Sequence, residues 1–177
     1  MPVTCDVGIH HIHLTEDDID FFDTNARMPP PLRSRADRVA ITEGLLDGTI
    51  DAICSDHTPV DDDEKLLPFG EATPGATGLE LLLSLTLKWG QSLKNDPSNL
   101  SKAIAKITSD PAAILGKNCG KLSVGDTADI CIFNPSESWT VEASKLASQG
   151  KHTPFLGRDI PGRVHLTIVE GKIAFER

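Results

Sequence analysis

Compact apolar runs with few charges fill the first half of the chain, and alternating runs typical of half-buried strands fill its last third. Pro2-Val3-Thr4-Cys5-Asp6-Val7 runs directly into Gly8-Ile9-His10-His11-Ile12-His13, the pattern of a buried strand ending in a histidine-rich loop. Thr15 followed by Glu16, Asp17 and Asp18 predicts a capped acidic turn, and Phe21-Phe22 continues that short helix or turn. Arg27 to Arg33 is predicted to be extended, because Pro29, Pro30 and Pro31 each push their predecessor out of the helical region. Ser34 then caps a helix in which Ala36, Val39, Ala40, Leu45 and Leu46 recur at helical spacing, with Asp37 at the third position and Gly48 as the stop. Thr49 to Ser55 is nearly free of charge, as in a strand covered on both faces in a parallel sheet. That strand delivers Asp56-His57-Thr58-Pro59 at its C-terminal end.

A long loop follows, with the acidic run Asp61 to Glu64 and the Gly/Pro-rich stretch Pro68 to Gly75. From Gly78 to about Leu93, leucines and Trp89 surround most of a helix, which predicts deep burial, and two shorter helices follow at about Leu100–Thr108 and Pro111–Leu115. The period then changes. Ala128–Phe133, Trp139–Val141 and the pair Val164–Val169 and Lys172–Phe175 around Glu170-Gly171 read as strands and a hairpin. The expected organisation is therefore an α/β portion over residues 1–117 and a separate β unit over 118–177.

Composition narrows the partners. With 17 basic and 26 acidic side chains, the net charge of −9 and the lack of a Lys/Arg cluster argue against nucleic acid. No apolar run has the length of a membrane span, and the first residues have neither a basic nor an apolar leader region, so a cytoplasmic protein of one domain or two small ones is expected. Cys5, Cys54, Cys119 and Cys131 form no CxxC pair and are expected to be reduced and mostly buried.

The chemistry concentrates at two strand ends: His10, His11 and His13 at one, Asp56 and His57 at the other. Ligands of parallel α/β folds bind beyond the C-terminal strand ends, which would bring the two clusters to one site. Imidazole nitrogen with carboxylate oxygen is the ligand set of a hydrolytic zinc centre. The same residues also fit a hydrogen-bonded histidine loop and an Asp56 N-cap.

Cys5 to Leu14, Pro30-Pro31-Leu32-Arg33-Ser34, Asp47 to Pro59 and Pro68-Phe69-Gly70, in this order, resemble the C-terminal half of class I dihydroorotases, as do Gly120 to Asp129 and Thr153-Pro154-Phe155-Leu156-Gly157. The resemblance covers nearly the whole chain. It implies the last three or so strands of a metal-dependent (β/α)8 barrel and part of a small β-sandwich. The implied reaction opens the ring amide of dihydroorotate to carbamoyl aspartate in pyrimidine biosynthesis, through a water activated by one or two zinc ions. By motif position His10 is a metal ligand, and Asp56 is both a ligand and the general base. The remaining ligands of the family, an earlier His-x-His pair, a mid-barrel acid or carboxylated lysine and another histidine, are not in this sequence, so its ligand set is incomplete.

Two positions depart from the family: Pro29 stands where an asparagine holds substrate, and Val60 where a histidine contacts the substrate carboxylate. Such losses suit a non-catalytic pseudo-dihydroorotase that partners aspartate transcarbamoylase. Hydantoinase or allantoinase activity is a weaker alternative. His11 and His13 are expected to serve as loop or supporting groups and His57 to support the turn after Asp56. Arg33 is expected to form a structural salt bridge and Asp61 to Glu64 a solvated loop. An open partial barrel should self-associate or pair with a missing N-terminal half.

Overall fold

The computed structural model describes residues 3–93 and 98–177. Met1 and Pro2, and with Pro2 the start of the predicted first strand, lie outside the described residues. The chain divides into two compact units, Met1–Leu82 with Thr140–Arg158, and Leu83–Trp139 with Asp159–Arg177.

In the first unit, β1 (Asp6–Gly8) and β2 (Ala52–Cys54) pair in parallel, with Asp6 opposite Ala52, Val7 opposite Ile53 and Gly8 opposite Cys54. The strands are shorter than their apolar patterns, although the Asp51 amide still donates to the Cys5 carbonyl at 2.9 Å just ahead of the ladder. Directly after β1 the expected histidine loop is instead a helical turn, α1 (Ile9–His13), closed by the Leu14 amide donating to the His10 carbonyl at 2.9 Å. Coiling the segment puts Ile9 and Ile12 on one buried face, at 0% and 5% exposure, which an open loop would not achieve. Thr15 and Asp18 form a reciprocal cap around a single 3-10 turn, Glu16–Ile19.

The second helix, α2 (Arg35–Asp47), starts and stops where its sequence signals place it. The Ser34 hydroxyl accepts from the Asp37 amide at 3.3 Å, the Asp37 carboxylate takes the Ser34 amide at 3.1 Å, and Gly48 ends the helix at φ 84°. Its burial is narrower than the periodicity predicts. Gly44 and Leu45 face the interior, whereas Val39 and Leu46 are 55% and 52% exposed because no described segment covers that side. The loop expected at Asp61 to Glu64 is for the most part a short helix, α3 (Asp62–Lys65), although the residues of the acidic run are exposed.

The Ser34 cap gives a testable acid sensitivity. Hydrogen bonds from the Ser34 side chain and backbone hold the Asp37 carboxyl below its usual value of 3.8. A carboxyl lowered in the folded state stabilises it above the unfolded value and loses that contribution as pH falls through the folded value. Ser34→Ala should therefore lower the urea midpoint near neutrality, and the gap to the unmodified protein should narrow in acid as the Asp37 carboxylate is protonated, leaving the share of the cap that the Ser34 hydroxyl takes from the Asp37 amide. A gap that stays constant below the carboxylate range contradicts this.

The second unit takes in most of α4 (Leu82–Ser92), together with α5 (Asn99–Ala105), α6 (Ser109–Ile114) and a three-stranded sheet ordered β3-β4-β5. Leu85, Leu87 and Trp89 are buried as the leucine pattern predicts, though Leu79, ahead of α4, is 60% exposed. Gly90 lets α5 approach closely, since a Cβ there would stand 2.9 Å from the Ala103 Cβ. The two predicted strands around residues 130 and 140 form one strand, β3 (Ile130–Thr140), and Pro135 is accommodated because β3 lies at the sheet edge. β4 (Asp159–Val169) and β5 (Lys172–Glu176) form the predicted antiparallel hairpin. Glu170 and Gly171, at φ 51° and 78°, supply the two left-handed positions of its tight turn.

The expectation of buried thiols is corrected. Cys5, Cys119 and Cys131 are exposed and Cys54 is half-buried, all four being free. Cys5 precedes the paired part of β1, Cys119 sits in the turn region after α6, and Cys131 lies on the edge strand. Helices and sheets together give the expected α/β content, and among the described residues no helix is long and apolar enough to cross a membrane.

Candidate functional site

The parallel register of β1 and β2 brings the two predicted ligands to the same end of the first unit. Gly8 and Cys54 are opposite one another, and His10 and Asp56 each lie two residues beyond them. Past β2 the chain turns sharply, with Asp56 in the left-handed region at φ 46°, a conformation that aspartate tolerates better than most side chains. Strained backbone of this kind clusters at functional sites. The Asp56 carboxylate lies over Gly8, where a Cβ would stand 3.1 Å from Asp56 Oδ2 and 3.3 Å from His11 Nδ1.

His10 is fully buried, and neither ring nitrogen has a hydrogen-bond partner in the structure. Burial, with His11 as a smaller like-charge effect, pushes its imidazole down to about 4; the Thr77 backbone opposes this in part without reaching hydrogen-bond geometry. The ring is therefore neutral near neutrality and keeps a lone pair. A buried unpartnered polar group costs about 1–3 kcal/mol, so its retention points to a ligand that engages it. Phe155 stacks on the ring at 5.9 Å between centroids and 28° between planes, and meets His13 edge-on at 6.1 Å. Among the described residues no three or more His, Cys, Asp or Glu side chains form a group that could hold a metal ion.

The other sequence candidates have structural partners. His11 Nε2 faces the Pro30 carbonyl at 3.0 Å, and since a carbonyl only accepts, that nitrogen carries the proton. His57 Nδ1 accepts from the Gly78 and Leu79 amides at 3.2 and 3.3 Å. Arg33 lies 3.9 Å from Asp37 in an exposed ion pair rather than free for an anion. Pro29 is exposed, whereas Val60 is buried at 4% exposure. Burial, followed by the Asp6 carboxylate, pushes the Cys54 thiol up to about 12, which removes it as a nucleophile near neutrality.

Sequence reasoning missed three contributors, because each acts across a long stretch of chain. Phe155 covers His10, and Gly78 gives the same ring space. His152 reaches the Asn25 side-chain oxygen with Nδ1 and Asp62 with Nε2, both at 2.9 Å, tying α3 to the turn at residues 24–26. The histidine-rich and Asp-His-x-Pro motifs signalled His10 and Asp56, whereas Gly78 and His152 carried no local signal and Phe155 entered only within the Thr153–Gly157 resemblance, with no role attached.

The family model described as "Amidohydrolase family" matches residues 6–175. A dihydroorotase of Geobacter metallireducens is 45% identical over 175 residues, which are 99% of this chain and 41% of that protein. A dihydroorotase of Geotalea daltonii is likewise 45% identical, over 99% of this chain and 40% of its own length. Among solved structures, the L-hydantoinase (dihydropyrimidinase) of Arthrobacter aurescens superposes with a TM-score of 0.87 at 29% identity, over 98% of this chain and 39% of its own. The D-hydantoinase (dihydropyrimidinase) of Thermus sp. shares the fold at a TM-score of 0.86 and 24% identity, over 99% of this chain and 40% of its own. The chain thus spans about two-fifths of the length of the proteins it matches.

Proposed function

We propose, from the premise that this chain belongs to the amidohydrolase family, that it is the C-terminal part of a cytoplasmic dihydroorotase. It would supply partial (β/α)8-barrel elements up to about residue 117 and a β-sandwich portion from 118 onward. The substrate in this reading is dihydroorotate, opened to carbamoyl aspartate in pyrimidine biosynthesis. One observation carries it: a buried, neutral, unpartnered His10 beyond one parallel strand, with Asp56 at the matching position beyond its neighbour. The 45% identity to a dihydroorotase favours this ring over the hydantoin ring.

His10 and Asp56 fit a zinc-type ion in their chemistry, one offering an imidazole lone pair and the other a carboxylate oxygen. Zinc, when bound, polarises the amide carbonyl and acidifies water. Two ligands do not fill such a site, so the others come from the part of the protein that this chain does not span. Asp56 takes a proton from the attacking water at its carboxylate and gives it to the ring nitrogen as the amide C–N bond breaks. Gly8, lacking a Cβ, leaves room for that carboxylate. His11, held through Nε2 by the Pro30 carbonyl, places its Nδ1 beside the same Gly8 position.

A second reading, a non-catalytic partner of aspartate transcarbamoylase, draws on Pro29, which offers no donor, and on Val60, which is packed in the interior. Completing the chain with the remaining portion of the Geobacter metallireducens dihydroorotase and assaying it with zinc separates the two. The enzyme reading expects turnover of dihydroorotate in preference to hydantoin. A folded chimera without turnover supports the partner reading, and preference for hydantoin overturns the substrate assignment.

A further inference from the structure

His10 has an unusual way of being aimed. Metal-ligating histidines are ordinarily oriented by a hydrogen bond from their second ring nitrogen. His10 has no such bond at either nitrogen, so packing has to set its ring plane. Phe155 stacks beside the ring, tilted by 28° with 5.9 Å between centroids. Against the ring also lies Gly78, where a Cβ would overlap the Ser55 carbonyl oxygen and stand 2.8 Å from His10 Cε1 and 3.4 Å from Nε2. The slot has room for the ring only because residue 78 is glycine and its backbone stays where it is.

What keeps it there is the residue after Asp56. The Gly78 and Leu79 amides both point at His57 Nδ1, at 3.2 and 3.3 Å. Two N–H donors on one nitrogen require that nitrogen to be the acceptor, which places the His57 proton on Nε2. The preceding residues are tied from other directions: the Thr58 amide donates to the Ala76 carbonyl at 2.9 Å, and the Thr77 hydroxyl to the Gly150 carbonyl at 2.6 Å. The Gly78 and Leu79 amides thus depend on His57, while their carbonyls accept from the Leu81 and Leu82 amides of the following 3-10 turn, and Ser55 and Asp56 immediately before His57 bring the carbonyl that approaches Gly78 and the carboxylate of the metal-site reading.

Resting on the metal-site reading above, we propose that His57 is a positioning residue: in its Nε2–H form it clamps Gly78 and Leu79, and so fixes one wall of the slot that aims His10. Its effect passes through Gly78, and it touches neither substrate nor metal. The role is more specific than support of a turn, because it couples the loop bearing Asp56 to the orientation of His10.

The test uses the completed enzyme with His57→Leu, which fills the space without an acceptor, and His57→Asn, whose amide oxygen can take the same two N–H bonds. In metal-free protein, His57→Leu should speed hydrogen exchange at the Gly78 and Leu79 amides about tenfold or more, and His57→Asn should restore protection. Zinc affinity, read by chelator competition, should fall roughly 10–100-fold in His57→Leu and recover in His57→Asn. Unchanged zinc affinity in His57→Leu overturns the proposal, as does an Asn variant that restores amide protection and leaves zinc weak. If His57→Leu fails to fold, nitrogen-15 shifts of the unmodified enzyme decide: a protonated His57 Nε2 supports the clamp and a protonated Nδ1 overturns it. His10→Ala in parallel separates this inference from its premise, since unchanged zinc affinity there would remove the metal site itself.

Discussion

Asp56→Asn is expected to lower kcat for dihydroorotate in the completed enzyme by about 10²–10⁴-fold, the range for a lost general acid–base group. The substitution keeps the size of the side chain and its place over Gly8. Asparagine also tolerates the left-handed backbone at φ 46° as readily as aspartate, so the fold should survive. What disappears is the carboxylate, and with it both the proposed proton acceptor and the proposed anionic oxygen for the metal. The measurement is steady-state kinetics at saturating zinc, beside a thermal melt showing that the variant is folded. Retention of more than about a tenth of the activity, well short of the general-base range, would mean that another group moves the proton.

Phe155→Ala should produce the largest loss of stability. Phe155 is fully buried, and its ring contacts His10, His13 and the Arg158 guanidinium, the last at 5.6 Å from the ring centroid. Truncating such a ring leaves a cavity that the surroundings only partly close, at a cost of about 3–5 kcal/mol. The loss should appear as a lower urea midpoint with little change in slope. Because the same ring is the stacked wall beside His10, zinc affinity should fall as well, and Phe155→Leu should recover much of the stability. A loss below about 1 kcal/mol would place Phe155 outside the core.

The parts legible in the sequence were those with local signals. Ser34, Asp37 and Gly48 mark α2 at both ends because caps act within a single turn. Gly171 between two alternating runs marks the hairpin because glycine enters a left-handed turn position without cost, and Glu170 joins it there at φ 51°. His10 and Asp56 were legible as motifs, and the parallel pairing of the strands behind them explains why they emerge at one end. The helical turn at Ile9–His13 was not legible, since five residues carry too little periodicity and burial of Ile9 and Ile12 decides the outcome. Thiol burial is not legible in sequence, because an apolar strand pattern does not say whether another layer covers the strand, and β3 lies at an edge. Gly78, Phe155 and His152 were not legible as site residues for a related reason: each matters through a contact with a residue far along the chain.

In the proposed enzyme, His10 and Asp56 are the ligands this chain contributes to a hydrolytic metal centre. Anomalous diffraction at the zinc edge from crystals of the completed enzyme tests it most directly. A zinc peak is expected bonded to a ring nitrogen of His10 and to the Asp56 carboxylate, at the roughly 2.0–2.2 Å typical of such ligands. A fully loaded, active enzyme whose zinc lies beyond reach of His10 would contradict it.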